Sequence, residues 1–433
     1  MNTFSKKILA ILWVAIIAMI GFCGNVVAQE PAQEVLPQQI ETLSTGSTES
    51  LTDHSRATKF TAQDGQLSFT FPENVAGIYL EWEKVPTYGS ILYGAQSKTM
   101  PQFLHQYLSI DTPSNQIQLE WTGQGSLCDV YFFTEGALPD WVQVWQPSCE
   151  KADFLLFPTH ADDEHLWFGG VMPFYAGEKD LAVQVAYMVQ HQNEPYRWHE
   201  QLDGLWTVGV EHYPIIPQFP DAYCETLEQA KQIYNQQEII AYQVEQIRRF
   251  KPNVIVGQDV HGEYGHGAHQ LNTDSLMQAV VMAADASQFP ESLSLGTWDT
   301  PKTYLHLYPE NQIVMDWNQP LERFGGKTAF EMAQMGYACH TSQQGYWFAV
   351  KQSGSYDCRK FGLWRSTVGQ DTEPDMLQNL PTPTPVPTAT PTPTPSPTAT
   401  PNTAEDSSSI EESSTPSKKN GVVIIIGLAQ GIA

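Results

Sequence analysis

The sequence predicts an α/β protein with a mostly parallel sheet and helices on both faces, preceded by an all-β, sandwich-like module. Two observations lead to this prediction. Between Lys59 and Glu150, apolar residues alternate with polar ones, which is the period of half-buried strands. After Asp153 the period changes, because short apolar runs alternate with longer helical stretches, as in parallel sheets.

Length and charge limit what the chain can bind. The 433 residues are enough for two folded units, and the 41% hydrophobic content can fill at least one large core. The chain has 22 basic and 48 acidic residues, so it lacks the positive field that a phosphate backbone needs. We therefore expect no nucleic acid among its partners.

Residues 1–28 have the pattern of a signal peptide. Lys6 and Lys7 precede an apolar run over 8–22, and the small residues before position 29 suit signal peptidase. The alternative is an uncleaved membrane anchor, although the run is shorter than the roughly 20 residues that span a bilayer. In both cases we expect the folded part outside the cytoplasm, either secreted or held at the cell surface.

The next two segments differ in composition. Residues 29–58 are polar and almost free of aromatic side chains, which predicts a spacer. Residues 59–150 form the predicted β module, with alternation such as that of Leu67, Phe69 and Phe71. Four tryptophans of this module are Trp82, Trp121, Trp141 and Trp145. They form either the core of a sandwich, which is the more common case, or a sugar-binding face.

Five cysteines follow the signal segment, in a compartment where disulfides are permitted. Proximity in the sequence favours the pairs Cys128 with Cys149 and Cys339 with Cys358, which leaves Cys224 unpaired. Sequence alone does not fix the connectivity.

Residues 151–375 are predicted to form a Rossmann-like α/β domain. The predicted strands are 154–157, 181–188 and 254–256, and the predicted helices are 164–176, 196–208 and 226–250. In such sheets ligands bind beyond the carboxyl ends of the strands. Two sequences rich in histidine and acidic residues occupy such positions, namely 159–165 and 258–269.

The C-terminal part has the composition of a stalk. Pro-Thr repeats run to Pro401 and favour an extended polyproline form, so 376–420 is predicted to be a stalk and linker. The apolar tail at 421–433 is too short to span a bilayer. It is either a truncated membrane anchor, which we favour, or a short tail. Stalk and tail together suggest attachment to the cell envelope.

The two histidine-rich sequences suit a metal site. Zinc prefers imidazole nitrogen and carboxylate oxygen, and a catalytic zinc keeps three protein ligands and an open position for water. A His-x-x-Asp pair from the first sequence and one histidine from the second supply that count. Fe²⁺ would accept the same ligands. The alternative is a solvated loop and a helix N-terminus, with Asp162 or Asp163 as its cap. The metal interpretation is favoured because both sequences directly follow a predicted buried strand.

The paired sequences resemble the signature of the PIG-L or LmbE-like family of zinc deacetylases. That family has His-Pro-Asp-Asp-Glu after its first strand and Gly-Tyr-Gly-His-Pro-Asp-His further on. This chain has His-Ala-Asp-Asp-Glu at 160–164 and Glu-Tyr-Gly-His-Gly-Ala-His at 263–269. The similarity covers about 152–350 and includes Arg-Trp-His-Glu at 197–200 and Phe-Pro-Asp at 219–221.

The resemblance implies an LmbE-like fold and a Zn²⁺-dependent hydrolase that removes the N-acetyl group from an amino sugar in a glycan or glycoconjugate. The implied zinc ligands are His160, Asp163 and His269. The implied catalytic residues are Asp162 as general base, with His266 and Tyr264 stabilising the oxyanion or protonating the leaving amine. The implied substrate contacts are Arg197, Asp221 and His340.

Other interpretations stay open at this point. From the residues alone, Arg197 is more typical of a salt-bridge partner on a helix surface, Asp221 of a turn residue, and His340 of a cap charge at a helix end. Glu164 either supports a ligand histidine or begins a helix. The alternative functions are a zinc hydrolase of another amide and an inactive glycan-binding protein of the cell surface.

Overall fold

The computed structural model describes residues 30–380. The predicted signal peptide, the Pro-Thr repeats and the apolar tail lie outside the described residues. Within 30–380, no helix is both long and apolar enough to cross a membrane.

The first part of the described chain is an antiparallel sheet of seven strands. The strands are β1 Gln39–Thr42, β2 Phe60–Gln63, β3 Gln66–Lys84, β4 Tyr88–Tyr93, β5 Gln96–Thr99, β6 His105–Thr122 and β7 Gln124–Phe133. Their order is β2-β7-β3-β6-β4-β5, and β1 pairs with β3. Hydrogen bonds connect all seven strands, so the two-sheet form of a sandwich stays a prediction. Leu67, Phe69 and Phe71 are buried along β3, as their alternation predicted.

The tryptophans of this module lie mainly in its core. Trp82, Trp121 and Trp145 are buried, and the rings of Trp82 and Trp121 meet edge to face. Trp141 is exposed and packs its edge against Tyr79. For three of the four, the structure therefore favours the core interpretation over a sugar-binding face.

The structure corrects the prediction of a spacer at 29–58. Strand β1 pairs antiparallel with β3, and Leu51, in a 3-10 helix at Glu49–Thr52, is fully buried. Val35 is also buried and bonds through its backbone to Phe132. A polar segment cannot build a core of its own. The segment at 30–58 does not need a separate core, because the seven-stranded sheet supplies backbone hydrogen-bond partners and an apolar surface.

The second part of the chain is an α/β domain with a six-stranded sheet. Its strands are β8 Phe154–Phe157, β9 Val183–Val185, β10 Val254–Gly257, β11 Lys302–His306, β12 Gln312–Val314 and β13 Lys360–Ser366. The order is β12-β13-β11-β10-β8-β9. The four strands β9, β8, β10 and β11 are parallel, and β13 runs antiparallel to both of its neighbours.

The helices of this domain cover both faces of its sheet. They are α1 Asp163–Leu166, α2 Tyr196–Thr207, α3 Leu227–Ile233, α4 Gln236–Phe250, α5 Gly267–Ala283 and α6 Ala329–Ala338. Shorter pieces are a π-helical segment at Pro173–Glu178 and 3-10 helices at Pro290–Leu295, Glu322–Phe324, Thr341–Gln343 and Gly354–Tyr356. Leu155 shares a core with α4 and α5, whereas Leu156 shares a core with α2 and α6. Successive residues of a strand thus face opposite helix layers, and the α/β prediction is confirmed.

Several predicted boundaries change. The predicted helix at 164–176 is one α-helical turn, and the predicted helix at 226–250 is divided at Asn235, whose side chain caps α4. The domain continues past 375, because Met376 is fully buried and Lys302 donates to the Gln378 carbonyl.

None of the five cysteines within 30–380 forms a disulfide, contrary to the prediction. Cys128 is buried in β7 of the first sheet, while Cys149 is buried beside Gln184 of β9. Cys358 is buried in the domain core, and Cys339 caps the end of α6 next to Thr207. Nearness in the sequence therefore does not bring either pair together.

Two buried histidines connect the sheet module to the α/β domain. His105 Nε2 of β6 lies 2.7 Å from His199 Nδ1 of α2, and His105 Nδ1 lies 2.8 Å from Gln143 Oε1. Burial, with the positive charge of Arg56 adding to it, lowers the pKa of His105 to about 3, against the opposing effect of Asp203. Burial and the neighbouring His105 lower the pKa of His199 to about 3 as well. Both rings are therefore neutral in the folded protein.

We expect the protein to lose stability in mild acid. An unfolded histidine titrates near 6.5, so its buried neutral form stabilises the fold above that pH and loses the effect as the pH falls toward 3. Each histidine contributes up to about 1.4 kcal/mol per pH unit to the free energy of unfolding. Urea denaturation at several pH values measures this slope. His199→Gln should reduce it and His54→Gln, at an exposed position, should not; an unchanged slope in His199→Gln contradicts the assignment.

Candidate metal centre

Two loops at the carboxyl ends of neighbouring strands bring the histidine-rich sequences together. Strands β8 and β10 are parallel, and Phe157 lies opposite Gly257 at their ends. The loop after β8 leads into α1, and the loop after β10 leads into α5. Asn272 of α5 fixes their spacing, because its side chain donates to the Phe157 carbonyl and to Thr159.

The three predicted metal ligands converge. His160 Nδ1 lies 3.0 Å from His269 Nε2, and Asp163 Oδ2 lies 3.2 Å from each of these nitrogens. Tetrahedral zinc with bonds of about 2.0–2.2 Å has ligand-to-ligand edges of roughly 3.3–3.5 Å. The triangle of atoms therefore has the size of one face of a zinc site.

The hydrogen bonds of the two histidines turn their lone pairs into this triangle. His269 Nδ1 lies 2.9 Å from Glu263 Oε2, so the ring proton faces Glu263 and the lone pair of Nε2 faces Asp163. His160 Nε2 lies 3.5 Å from Asp221 Oδ1, which leaves its Nδ1 for the triangle. A carboxylate that orients a ligand histidine in this way is typical of zinc sites. Lone pairs that face each other need a cation or protons between them, so these residues fit a divalent metal.

Charge around the triangle also favours a cation. Burial alone would lower the pKa of both rings, but Asp221 and Asp163 raise that of His160 to about 9. Asp163 and Glu263 raise the pKa of His269 to about 10. Although burial opposes it, the two rings hold the pKa of Asp163 well below its usual range.

Asp162 lies beside the triangle with an unusual backbone. Its φ is +126°, a conformation that favours glycine and costs roughly 1–3 kcal/mol in other residues. Its backbone N–H donates to Glu164 Oε2 at 2.9 Å, and its Oδ1 lies 3.7 Å from Arg197 Nη2. Burial, with the neighbouring Asp163 adding to it, raises the pKa of Asp162 to about 7. This carboxyl group can thus exchange protons near neutral pH.

His266 and Tyr264 face the same place. The His266 ring centroid lies 4.8 Å from that of His269 and 5.0 Å from that of His160. Burial, with both neighbouring rings adding to it, lowers the pKa of His266 to about 3. The Tyr264 ring lies 5.7 Å from His266. His266 could itself be a ligand, since its nitrogen is within 4.8 Å of those of His160 and His269, but the shorter distances of Asp163 make that residue the better third ligand.

A cavity opens above the ligand triangle, and two of the three predicted substrate contacts, Arg197 and Asp221, line it. Both side chains also bind the loops around this cavity. Arg197 donates to the Ala161 carbonyl at 2.5 Å, and Asp221 Oδ2 lies 3.2 Å from His191 Nδ1. Asp221 therefore orients His160 in addition to any contact with substrate.

His340 is not a substrate contact in this structure. It is fully buried at the end of α6, and its Nε2 lies 3.6 Å from Glu164 Oε1. Its ring centroid lies 5.4 Å from that of His165, and neither ring lines the cavity. Glu164 lies in the first turn of α1, as one of the two interpretations expected. Its buried Oε1 lies beside His165 and His340 and not beside the predicted ligands His160 and His269.

Several residues of the site were missed from the sequence. Glu263 orients His269, and Trp167 Nε1 donates to Asp163 Oδ1 at 2.6 Å. His191 Nε2 accepts from the Ala161 backbone at 3.2 Å. A signal existed for two of them, because Glu263 stands within the second histidine-rich sequence and Trp167 follows Asp163 by one helical turn.

The cavity above the triangle has a volume of about 500 Å³. Its lining residues are His160, Asp162, Asp163, Leu166, Trp167, Arg197, Asp221, Tyr223, Tyr264, His266, Gln343, Tyr346, Trp347 and Phe348. The aromatic rim consists of Tyr223, Tyr346 and Trp347, which are 75%, 63% and 56% exposed. Such exposure is unusual for large aromatic side chains and is typical of binding surfaces.

Comparison with known proteins gives relatives of one kind. Over 196 residues the chain is 26% identical to the 1D-myo-inositol 2-acetamido-2-deoxy-alpha-D-glucopyranoside deacetylase of Streptomyces scabiei, covering 39% of this chain and 59% of that protein. It is 32% identical over 93 residues to deacetylase 1 of the same name from Catenulispora acidiphila, covering 22% and 28%. The chain resembles the LmbE-like deacetylases. It spans less than two thirds of the length of these relatives, and no protein-family model matches it.

Solved structures resemble part of the chain more distantly. N,N'-diacetylchitobiose deacetylase from Pyrococcus horikoshii is 15% identical, covers 44% of this chain and 71% of its own, and has a TM-score of 0.35. A conserved protein from Thermus thermophilus is 14% identical, covers 45% and 82%, and has a TM-score of 0.32.

Proposed function

We propose that this protein is a zinc-dependent hydrolase that removes the N-acetyl group from an N-acetylated amino sugar. The convergence of His160 Nδ1, Asp163 Oδ2 and His269 Nε2 beside the buried Asp162 is the observation that carries the proposal. Three deacetylases that resemble the chain are named for a 2-acetamido-2-deoxyglucopyranoside, which supports this class of substrate.

In the proposed mechanism, Asp162 carries a proton from the attacking water to the sugar nitrogen. A zinc ion held by His160, Asp163 and His269 would polarise the acetamide carbonyl and make a water molecule acidic enough to ionise near neutral pH. The Asp162 carboxylate then accepts the proton of the water that attacks the carbonyl carbon. When the C–N bond breaks, the protonated Asp162 gives this proton to the sugar nitrogen. Acetic acid and a free amine result, and the acid then passes its proton to the amine at neutral pH, so the products are acetate and an ammonium group and atoms and charge balance. Arg197, 3.7 Å from Asp162, keeps the carboxylate in place.

The oxyanion that develops on the carbonyl oxygen needs hydrogen-bond donors, and Tyr264 and His266 can supply them. The Tyr264 hydroxyl keeps its proton, because burial raises its pKa far above the usual range. The neutral His266 has an Nδ1 without a hydrogen-bond partner among the described residues. Both side chains line the cavity and can donate to a negative oxygen, which is where such donors have their largest effect on rate.

Size, shape and charge support a sugar substrate. The cavity volume lies within the range of about 300–1,000 Å³ found for small-molecule sites. Aromatic rims offer flat apolar faces, which suit the CH face of a pyranose ring. A net charge of −26 disfavours anionic polymers, so a neutral glycan that becomes cationic on deacetylation is the better match.

A substrate panel tests the proposal. The metal-stripped full chain is reconstituted with zinc and incubated with N-acetylglucosamine, its oligomers, and acetylated amines that are not sugars. We expect acetate and free amine in equal amounts from the amino sugars. If the enzyme hydrolysed only the other amides, the proposal of a hydrolase would stand, but the proposed amino-sugar substrate would be wrong. Glycan binding with no acetate from any substrate would favour a catalytically inactive binding protein.

Trp347 should affect substrate binding more than chemistry. A stacking contact is worth about 0.5–1.5 kcal/mol, so Trp347→Ala should raise KM for a chitin-type disaccharide by roughly 2- to 10-fold at nearly constant kcat. Steady-state kinetics measures both values. Trp141→Ala is the matched control, because Trp141 is exposed but does not line this cavity. Equal KM values for the two variants would contradict a role of the rim in binding sugar.

We also propose that the protein acts outside the cytoplasm and that its C-terminal stalk and tail attach it to the cell envelope. The support is the signal-peptide pattern of 1–28 and the Pro-Thr composition after Leu380. Fractionation of expressing cells tests it, with the protein expected in the envelope or the medium. Recovery of the full-length protein in the cytosol would contradict it.

A further inference from the structure

A second group of metal-binding side chains lies behind α1, outside the cavity. Glu164, His165 and His340 are all fully buried. Glu164 Oε1 lies 3.5 Å from His165 Nε2 and 3.6 Å from His340 Nε2. One ligand atom from each residue lies within 4.8 Å of the others. The distances from Glu164 are close to the edges of roughly 3.3–3.5 Å expected around tetrahedral zinc.

The polar atoms of this group lack hydrogen-bond partners. Among the described residues none pairs with Glu164 Oε1, with either ring nitrogen of His165 or with either ring nitrogen of His340. The great majority of buried polar atoms in proteins have a hydrogen-bond partner, and each exception needs an explanation. Five exceptions in one contiguous group point to a ligand.

The surrounding helices leave room for this group. A Cβ at Gly204 of α2 would lie 2.6 Å from His165 Nε2 and 3.0 Å from His340 Nε2. A Cβ at Gly336 of α6 would lie 2.5 Å from the His165 ring. Both helices thus have glycine, a poor helix former, where a side chain would displace the imidazoles.

We propose that Glu164, His165 and His340 bind a second zinc ion, separate from the one in the cavity. A proton shared between Glu164 and one histidine would pair two of the five atoms. A divalent cation takes one lone pair from each of the three residues, and it offsets the charge of the buried carboxylate. The proposal does not depend on deacetylation, because the group does not line the cavity.

The second ion would also act on Asp162. Glu164 presents Oε1 to the proposed ion and accepts the Asp162 backbone N–H on Oε2. Asp162 has a φ of +126°, so its loop needs support from neighbouring groups. The metal-bound Glu164 is then a positioning residue that keeps the strained loop in place.

Metal stoichiometry tests the proposal. The full chain is stripped with a chelator, reconstituted with zinc and freed of excess metal, and its zinc is measured by mass spectrometry. We expect two zinc ions per wild-type chain, one in Asp163→Asn, one in His340→Gln and none in the double variant. His54→Gln, at an exposed position, should keep two. One zinc in the wild type that disappears in Asp163→Asn overturns the proposal, and so does a second zinc that survives His340→Gln.

A second readout covers the case in which His340→Gln fails to fold. The Asp163→Asn variant leaves the buried group intact, so added zinc should still raise its Tm, because an ion that binds only the folded state stabilises it. His165→Gln in that background should abolish the increase. No zinc-dependent increase in Asp163→Asn would contradict the proposal. Zinc content and Tm are read without substrate, so a failed acetate assay does not affect either outcome.

Discussion

Replacing Asp162 by asparagine is expected to lower kcat by roughly 10²- to 10⁴-fold, the usual contribution of a general acid or base. Asparagine keeps the size of the side chain but cannot take the proton of the attacking water or return it to the nitrogen. Asp162 is not a ligand in our account, so the zinc content should equal that of the wild type. Acetate release and metal analysis on the same sample measure both effects.

The control for this variant is Asp111→Asn, at an exposed position in the sheet module. It makes the same chemical change away from the cavity and should leave kcat unaltered. If Asp162→Asn loses zinc, the roles of Asp162 and Asp163 are exchanged. If it keeps full activity, another group moves the proton.

Asp163→Asn and Glu263→Gln should weaken the catalytic zinc to different degrees. Glu263 lies beside His269 and is not one of the proposed ligands, and removing such an outer carboxylate raises the dissociation constant of the metal by about 10- to 100-fold. Asp163 supplies an oxygen 3.2 Å from both histidine nitrogens, so its loss should cost more. Competition with a coloured chelator gives both constants. A larger effect for Glu263→Gln than for Asp163→Asn would contradict the ligand assignment.

The centre of the site could be predicted because its signal is local. His160, Asp162 and Asp163 stand in one short sequence directly after a buried strand, and His269 has the same relation to the next parallel strand. In a parallel sheet, these two positions must be neighbours. Resemblance to a known family then supplied Arg197 and Asp221, which no spacing would have selected.

The parts that failed depend on packing between distant segments. The fold of 30–58 could not be read from its polar composition, because its partners are strands that follow it in sequence. The family resemblance implied His340 as a substrate contact, but its ring is fully buried beside Glu164 of α1 and does not line the cavity. The aromatic rim combines Tyr223 with Tyr346 and Trp347. Tyr223 precedes the other two by more than a hundred residues. No period or motif connects them.

Zinc-dependent acetate release is the most direct test of the central claim. Metal-stripped wild-type protein should release no acetate from an N-acetylglucosamine oligomer, and added zinc should restore the reaction. Stripped Asp163→Asn should stay inactive at the same zinc concentration. Acetate release that persists without metal, or that zinc restores equally in Asp163→Asn, would contradict a catalytic site built from His160, Asp163 and His269.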